Sequence, residues 1–207
     1  NNYYYSLDGG VTIDDLLIGS GGLFINPAGY DFNLNLLYSG ANSSNIYRAA
    51  VPSTQGGSVT AAVIPLALGG NATAFAVSPH TTTATILFIG TSSGDLFKVT
   101  NADGAVPSLT NISGGSFPSG TVNNVWVGSS ELELVAVFSN YGVSSIWYTS
   151  NGGISWSAKE GDLPDMPIRW FMRNPNNIAE AIVATEVGVW RTANFTNLNP
   201  TWVPSTS

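Results

Sequence analysis

The chain has 207 residues, enough for one ordinary domain or for a slice of a large all-β one. Charged residues make up 9%, against the roughly 25% usual in soluble domains, so hydroxyls and amides must make the surface polar. A net charge of −7, with only 6 Lys+Arg and no basic run, excludes a phosphate-neutralising nucleic-acid surface, and zero Cys excludes disulfides, thiolate metal sites and a cysteine nucleophile.

The 43% apolar and 11% aromatic content supports a true core, and 23 Gly point to many short strands joined by tight turns. No apolar run approaches the roughly 18 residues needed to span a bilayer as a helix. No stretch holds a 3.6-residue period. The expected fold class is therefore all-β.

Taken in chain order, the strand signals recur with a period of 43 to 50 residues, set by the aromatic leads Tyr4, Tyr47, Phe97, Trp147 and Trp190. Tyr3-Tyr4-Tyr5 opens residues 1–18, read as the last two strands of a preceding blade. Residues 20–66 hold Phe24-Ile25-Asn26-Pro27, then Leu36-Leu37-Tyr38-Ser39-Gly40, then Tyr47-Arg48-Ala49. Residues 71–114 hold Phe75-Ala76-Val77-Ser78-Pro79, Ile86-Leu87-Phe88-Ile89-Gly90 and Phe97-Lys98-Val99. Residues 121–162 hold Val125-Trp126-Val127-Gly128, Leu134 to Phe138 and Trp147-Tyr148-Thr149. Residues 167–204 hold Trp170 to Pro175, Ala181 to Thr185 and Trp190-Arg191-Thr192.

Proline after the first run ends a strand because it donates nothing to a ladder. Glycine after the second, at Gly40 and Gly90, is expected to take a positive-φ turn. Three or four strands per unit of this length is the pattern of a β-propeller blade. The chain thus reads as a propeller segment of four complete four-stranded antiparallel blades plus a partial N-terminal blade, all one domain. A ring of about six to eight blades is the expected whole, with this chain a fragment of it. The uncovered end, residues 1–18 or the outer face of the fourth blade, is expected to pack against the rest of a larger propeller or another copy.

Two third-to-fourth-strand turns superpose without a gap: Ser6-Leu7-Asp8-Gly9-Gly10-Val11-Thr12-Ile13 and Thr149-Ser150-Asn151-Gly152-Gly153-Ile154-Ser155-Trp156. Weaker copies are Ser53-Thr54-Gln55-Gly56-Gly57, Asn101-Ala102-Asp103-Gly104, and Thr192-Ala193-Asn194 with an insertion before Thr201-Trp202. The pattern resembles the Asp-box, or bacterial neuraminidase repeat, with Ile13 in place of the family's Trp and Asn151 in place of its Asp. Physically this is a self-satisfied turn. The Asp or Asn accepts backbone N–H groups, glycine takes the left-handed geometry, and the aromatic buries against a neighbouring blade. Ser6, Asp8, Gly10, Thr12, Asn151, Gly153, Ser155 and Trp156 are accordingly read as structural.

Gly188-Val-Trp-Arg-Thr192, the Asn-Pro after the first strand, and the linker Gly161-Asp-Leu-Pro-Asp-Met-Pro-Ile168 look like the propellers of xyloglucanases and sortilin-type ectodomains. The resemblance implies a secreted bacterial protein, extracellular or at the cell surface. Propeller folds host unrelated functions, so activity must be argued from residues.

A sialidase needs three converging arginines. Arg48 and Arg191 hold the same third-strand position in different blades, and Arg169 and Arg173, an even number apart on one strand, are expected to share a face. A glycosidase needs two carboxyls across the scissile bond. The candidates are Asp31, Asp162, Asp165 and the pair Glu131/Glu133, which period two places on one strand face about 7 Å apart. No catalytic residue is assigned. His80, the only histidine, is expected in an exposed loop, and neither a metal nor another cofactor is expected.

Trp126 and Trp170 on first strands, and Tyr30 and Tyr141 read as loop residues, are the candidate binding aromatics, suited to stacking on neutral sugars. The leading expectation is a non-catalytic binding or adhesion module for a glycan or a protein surface, with no nucleic acid and no membrane span. The alternatives are part of a polysaccharide-degrading glycoside hydrolase and a structural spacer or assembly platform.

Overall fold

The structure, a computed structural model, describes residues 2–205; of Asn2 and Leu17 only the backbone is described. Asn1 and the Leu17 side chain, both inside the expected 1–18 hairpin, lie outside the described residues. Every regular element is a strand. The N-terminal hairpin pairs β1 (Asn2–Tyr5) with β2 (Asp14–Leu17). Sheet I runs β3 (Ala28–Asp31), β4 (Leu36–Asn42), β5 (Asn45–Ala50), β6 (Thr60–Pro65). Sheet II runs β7 (Ala72–Val77), β8 (Leu87–Thr91), β9 (Leu96–Thr100), β10 (Ser108–Asn111). Sheet III runs β11 (Val122–Val127), β12 (Leu134–Phe138), β13 (Ile146–Thr149), β14 (Ser157–Ala158). Sheet IV runs β15 (Ile168–Arg173), β16 (Ala181–Thr185), β17 (Gly188–Thr192), β18 (Val203–Pro204). All pairs are antiparallel, and each sheet keeps its strands in sequence order.

The sheets stack face to face in chain order, first strand against first strand: β3 on β7, β7 on β11, β11 on β15. This is the all-β, propeller-like arrangement that the repeat predicts. One apolar cluster fills each gap. Tyr38, Ile46 and Ile64 meet Leu87, Ile89 and Phe97 between sheets I and II. Phe88, Leu96 and Ala74 meet Val122, Leu134 and Trp147 between II and III. Val135, Val137 and Ile146 meet Phe171, Val183 and Trp202 between III and IV. Second strands such as Leu87–Thr91 and Leu134–Phe138 are buried on both faces, which is why they read as unbroken apolar runs. Fourth strands shrink to two residues in sheets III and IV, and the last ends in Pro204, which blunts the edge.

Three expectations are corrected. First, Phe24–Pro27 is not the first strand of sheet I. Strand β3 starts at Ala28, and Phe24 and Ile25 stand exposed. Asn26 holds this segment as a loop, accepting from Leu23 N (3.2 Å) and donating to the Gly40 carbonyl (2.8 Å). Second, Gly40 and Gly90 lie inside β4 and β8 rather than in turns. Their role is close approach: a Cβ on Gly90 would lie 2.4 Å from the Val122 side chain of the next sheet. Third, Tyr30 belongs to β3, not to a loop.

The first strands of sheets II, III and IV each break register at the same place, at Thr73, Asn123 and Arg169. The extra residue of a β-bulge shifts the alternation by one, so the two faces exchange beyond it. Arg169 and Arg173 therefore do not share a face, contrary to the period-two expectation. Arg169 is exposed and Arg173 is buried.

Candidate binding surface

Up-and-down order puts two kinds of loop at each end of the stack. The loops joining first to second strands share one end with the turns joining third to fourth strands. The loops joining second to third strands share the other end with the linkers between sheets.

The third-to-fourth turns carry the hydrogen bonds expected of them. At the first, Ser6 Oγ donates to Asp8 Oδ1 (2.8 Å), Gly10 N to Ser6 Oγ (2.8 Å) and Thr12 N to Asp8 Oδ1 (2.9 Å). At the third sheet, Thr149 Oγ1 donates to Asn151 Oδ1 (2.8 Å), Gly153 N to Thr149 Oγ1 (3.1 Å) and Ser155 N to Asn151 Oδ1 (3.0 Å). The fourth repeats the scheme across its insertion, with Thr201 N donating to Asn194 Oδ1 (2.9 Å). Gly10 and Gly153 have φ of 91° and 92°, open to glycine and strained for any other residue. The Asp8 carboxyl sits below its usual range because the Thr12 N–H and the Ser6 hydroxyl bind its charged form. Sheet I differs: Gln55 spends its amide on the hairpin, accepting from Leu7 N (3.0 Å) and donating to Asp14 (2.7 Å). Trp156 is half-buried. Its indole donates to the Ile112 carbonyl (2.8 Å) and its ring meets Phe117 edge-on at 4.8 Å.

At the same end lie three of the carboxyl candidates, Asp31, Glu131 and Glu133. Glu131 and Glu133 precede β12 in a turn rather than on a strand, and they turn toward opposite neighbours. Glu131 accepts from Lys98 (3.0 Å), Ser78 (2.9 Å) and Thr81 (2.5 Å) of sheet II. Glu133 takes Arg173 of sheet IV, together with Ser129 Oγ and N (2.8 Å each) and Tyr148 (3.3 Å). Burial opposes ionisation of both. For Glu131 the bonds from Thr81, Lys98 and Ser78, and for Glu133 those from Ser129 with the Arg173 charge, outweigh it and hold each carboxyl below the usual range. Such groups clamp sheets together and are poor proton donors. Asp31 is buried and accepts from Thr85 Oγ1 (2.6 Å), Asn33 N (2.9 Å) and Leu34 N (3.1 Å). His80 is exposed, with Nε2 2.8 Å from the Gly128 carbonyl. Asp162 caps the Trp202 N–H at 2.7 Å.

The opposite end is more open. Tyr141, in the loop after β12, is 62% exposed, and its hydroxyl donates to Glu186 Oε2 (3.2 Å) in the β16–β17 hairpin. That bond and the Glu186 charge push the Tyr141 phenol up. Glu186 also pairs with Arg169, and the Arg169 carbonyl accepts from Asn123 Nδ2 (2.8 Å). Trp170, next on β15 and opposite Ala184, is 56% exposed. Beside this rim Glu160, Asp165, Gly142 and Ser144 line an open groove of about 470 Å³. Burial raises the Glu160 carboxyl above its usual range despite the bond from Ser145 N (3.2 Å), and Asp165 accepts from Gly142 N (2.7 Å). Glu160 escaped the sequence reading because nothing in its local pattern signals burial.

Of the four candidate aromatics, Tyr141 and Trp170 are the most exposed; Tyr141 bonds Glu186 of sheet IV, whereas Trp170 stands on the outer face of that sheet in the row Trp170–Ala184–Val189. Trp126 is half-buried, with its ring edge-on to Phe171 at 5.6 Å between sheets III and IV. Tyr30 is at the far end of sheet I, its hydroxyl on Asn35.

No protein-family model matches the chain, and no curated protein matches it. Solved structures do. A GH74 enzyme from Niastella koreensis matches with a TM-score of 0.57 at 18% identity, over 86% of this chain and 29% of its own. The GH74 xyloglucanase from Xanthomonas campestris matches with a TM-score of 0.57 at 13% identity, over 87% and 31%. The WD40 β-propeller domain of Doa1 matches with a TM-score of 0.63 at 14% identity, over 96% and 60%. At these identities the likeness is one of fold: the chain is a propeller module. It spans about a third of the two GH74 chains and about three-fifths of the Doa1 chain.

Proposed function

We propose that this propeller module is a non-catalytic binding or adhesion unit of a secreted bacterial protein, and that its ligand is a neutral glycan. The observation that carries the reading is the exposed Tyr141 ring, bonded to Glu186 beside the Glu186–Arg169 ion pair; Trp170, the residue after Arg169, adds a second exposed ring on the outer face of sheet IV. Exposed aromatic rings offer flat apolar faces to sugar C–H groups, and the adjoining carboxylate, guanidinium and amide groups offer partners to sugar hydroxyls. The amide- and hydroxyl-rich, charge-poor composition suits a neutral ligand. The turns at 6–13 and 149–156 are proposed as Asp-box turns with a purely structural role. Binding of xyloglucan oligosaccharides, followed by titration calorimetry, tests the reading. Tyr141→Ala and Trp170→Ala should each weaken it about tenfold, the ~1–3 kcal/mol of a lost stacking face. Undiminished binding by both variants overturns it.

A second reading has one observation in its favour. Glu160 and Asp165 line the same groove, and burial keeps Glu160 inclined to hold a proton, as a general acid requires. On that reading the segment contributes to polysaccharide hydrolysis. New reducing ends released from xyloglucan, and lost in Glu160→Gln, would favour it over simple binding.

A further inference from the structure

Asn151 is followed by Gly152, the only Asn-Gly step in the chain. Such a step is chemically weak, because glycine puts no side chain in the way of attack from its own nitrogen. Once deprotonated, the Gly152 main-chain nitrogen can bond to Cγ of Asn151. A five-membered succinimide ring closes, the Cγ–Nδ2 bond breaks, and Nδ2 leaves as ammonia. Water then opens the ring at either carbonyl, giving aspartate or isoaspartate at 151. One amide and one water become one acid and one ammonia.

The folded turn holds both reacting groups off this path. Gly152 N donates to the Leu132 carbonyl at 2.9 Å, so the proton that must leave is engaged. The carboxamide is clamped at both ends. Its Oδ1 accepts from Thr149 Oγ1 (2.8 Å) and Ser155 N (3.0 Å), and its Nδ2 donates to Ser155 Oγ (2.8 Å). Swinging Cγ onto the Gly152 nitrogen turns the carboxamide out of all three bonds.

Two other turns of the same chain supply the comparison. In sheet IV Asn194 is held alike, accepting from Thr192 Oγ1 (2.7 Å) and Thr201 N (2.9 Å) and donating to Thr201 Oγ1 (3.0 Å). The next residue there is buried Phe195, whose bulk hinders the same attack. In the hairpin turn Asp8 stands where Asn151 stands, accepting from Ser6 Oγ (2.8 Å) and Thr12 N (2.9 Å). That turn is the picture of the deamidated product. An aspartate at 151 loses only the Nδ2 donor, and the Ser155 hydroxyl can rotate to donate in its place.

We propose that Asn151 is a deamidation site gated by the opening of its own turn, and that the turn closes again on the aspartate product. Isoaspartate carries one extra main-chain carbon, cannot meet Thr149 and Ser155 in the same register, and leaves the turn open. The observed rate is the chemical rate multiplied by the fraction of time the turn is open. Each passage adds one permanent negative charge, so the turn records how often this edge of sheet III opens.

The test follows the whole protein in mildly alkaline buffer, folded and in urea, by mass spectrometry of the peptide containing residue 151, with aspartate and isoaspartate separated. In urea Asn151 should convert ahead of every other asparagine. The folded protein should convert at least about tenfold more slowly. Ser155→Ala removes the Nδ2 partner, lies outside the reacting step, and should keep its circular dichroism spectrum. It should speed the folded reaction about fivefold, the worth of one neutral hydrogen bond, and leave the rate in urea unchanged. Equal rates in the folded and unfolded protein overturn the gate, as does an unaltered folded rate in Ser155→Ala. A folded rate above the unfolded one overturns it in the other direction, with the donors on Oδ1 polarising the carbonyl and assisting attack. Another asparagine converting first in urea overturns the assignment of the site.

Discussion

Asn123 Nδ2 donates to the main-chain carbonyl of Arg169 at 2.8 Å, and each of the two is the bulged residue of its own first strand. A related contact stands one sheet earlier, where bulged Thr73 donates from Oγ1 to the carbonyl of Val122, the residue before the Asn123 bulge, at 2.6 Å. A bulge frees a carbonyl from the ladder and aims a side chain out of alternation. Successive first strands thus fasten to each other by a polar link that regular strands would lack. Asn123→Ala should leave the Arg169 carbonyl without this donor and cost about 1 kcal/mol in urea unfolding, while Asn123→Asp, which cannot donate, should cost at least as much.

The two arginine ion pairs of sheet IV should respond very differently to loss. Arg173 and Glu133 are 5% and 15% exposed, whereas Arg169 and Glu186 are 48% and 39% exposed. Glu133→Gln strands a buried guanidinium and is expected to destabilise by about 3 kcal/mol. Arg169→Gln removes a solvent-screened pair and should change stability by about 0.5 kcal/mol or less. Chemical denaturation of both variants checks the contrast.

Trp156 is half-buried, so truncation should cost less than the full-burial figure. Trp156→Ala is expected to lose about 2–3 kcal/mol, combining the Phe117 contact, the Gly114 contact and the indole bond to Ile112. Trp156→Phe should recover the ring contact and leave a deficit of about 1 kcal/mol for the missing N–H. A Trp156→Phe variant as unstable as Trp156→Ala would contradict this division.

The turns should depend on a side-chain oxygen rather than on charge. Asn151 does in sheet III what Asp8 does in the hairpin, and both accept with Oδ1 from the residue four positions on. Asn151→Asp should therefore leave the melting temperature nearly unchanged. Asn151→Ala should lower stability by about 1–2 kcal/mol, because the Ser155 N–H and Thr149 hydroxyl lose their acceptor.

Acid should weaken the stack through Glu131 and Glu133. Their native carboxyls titrate below the unfolded value, so their contribution is complete above the unfolded pKa and is lost as pH falls through the native one. Glu160 has the opposite sign. Its raised native carboxyl favours the protonated form, an advantage full below the unfolded pKa and lost as pH rises through the native one. Thermal melts of Glu160→Gln should accordingly gain on the wild type at pH 7 and converge with it at pH 4. A gain of equal size at both values would show that ionisation is not its cause.

The repeat was legible from the sequence because strand identity is a local property. Apolar runs of five or six residues, closed by proline or by polar turns and led by Tyr47, Phe97, Trp147 and Trp190, fix where third strands fall. The turn at 149–156 was equally legible, since Thr149, Asn151 and Gly153 satisfy one another within five residues. What the tertiary structure decided depends on neighbours distant in the chain. Glu131 and Glu133, two residues apart, divide between Lys98 and Arg173 because sheet III has a neighbour on either side and each neighbour presents one of these cations to it. Arg169 and Arg173 part faces because a bulge, invisible in residue type, adds one residue to β15. Glu160 acquires its raised carboxyl from burial beneath the loop at 142–145. Local pattern sets which residues form strands and turns; what each side chain meets is set by the stacking of surfaces 40 to 50 residues apart.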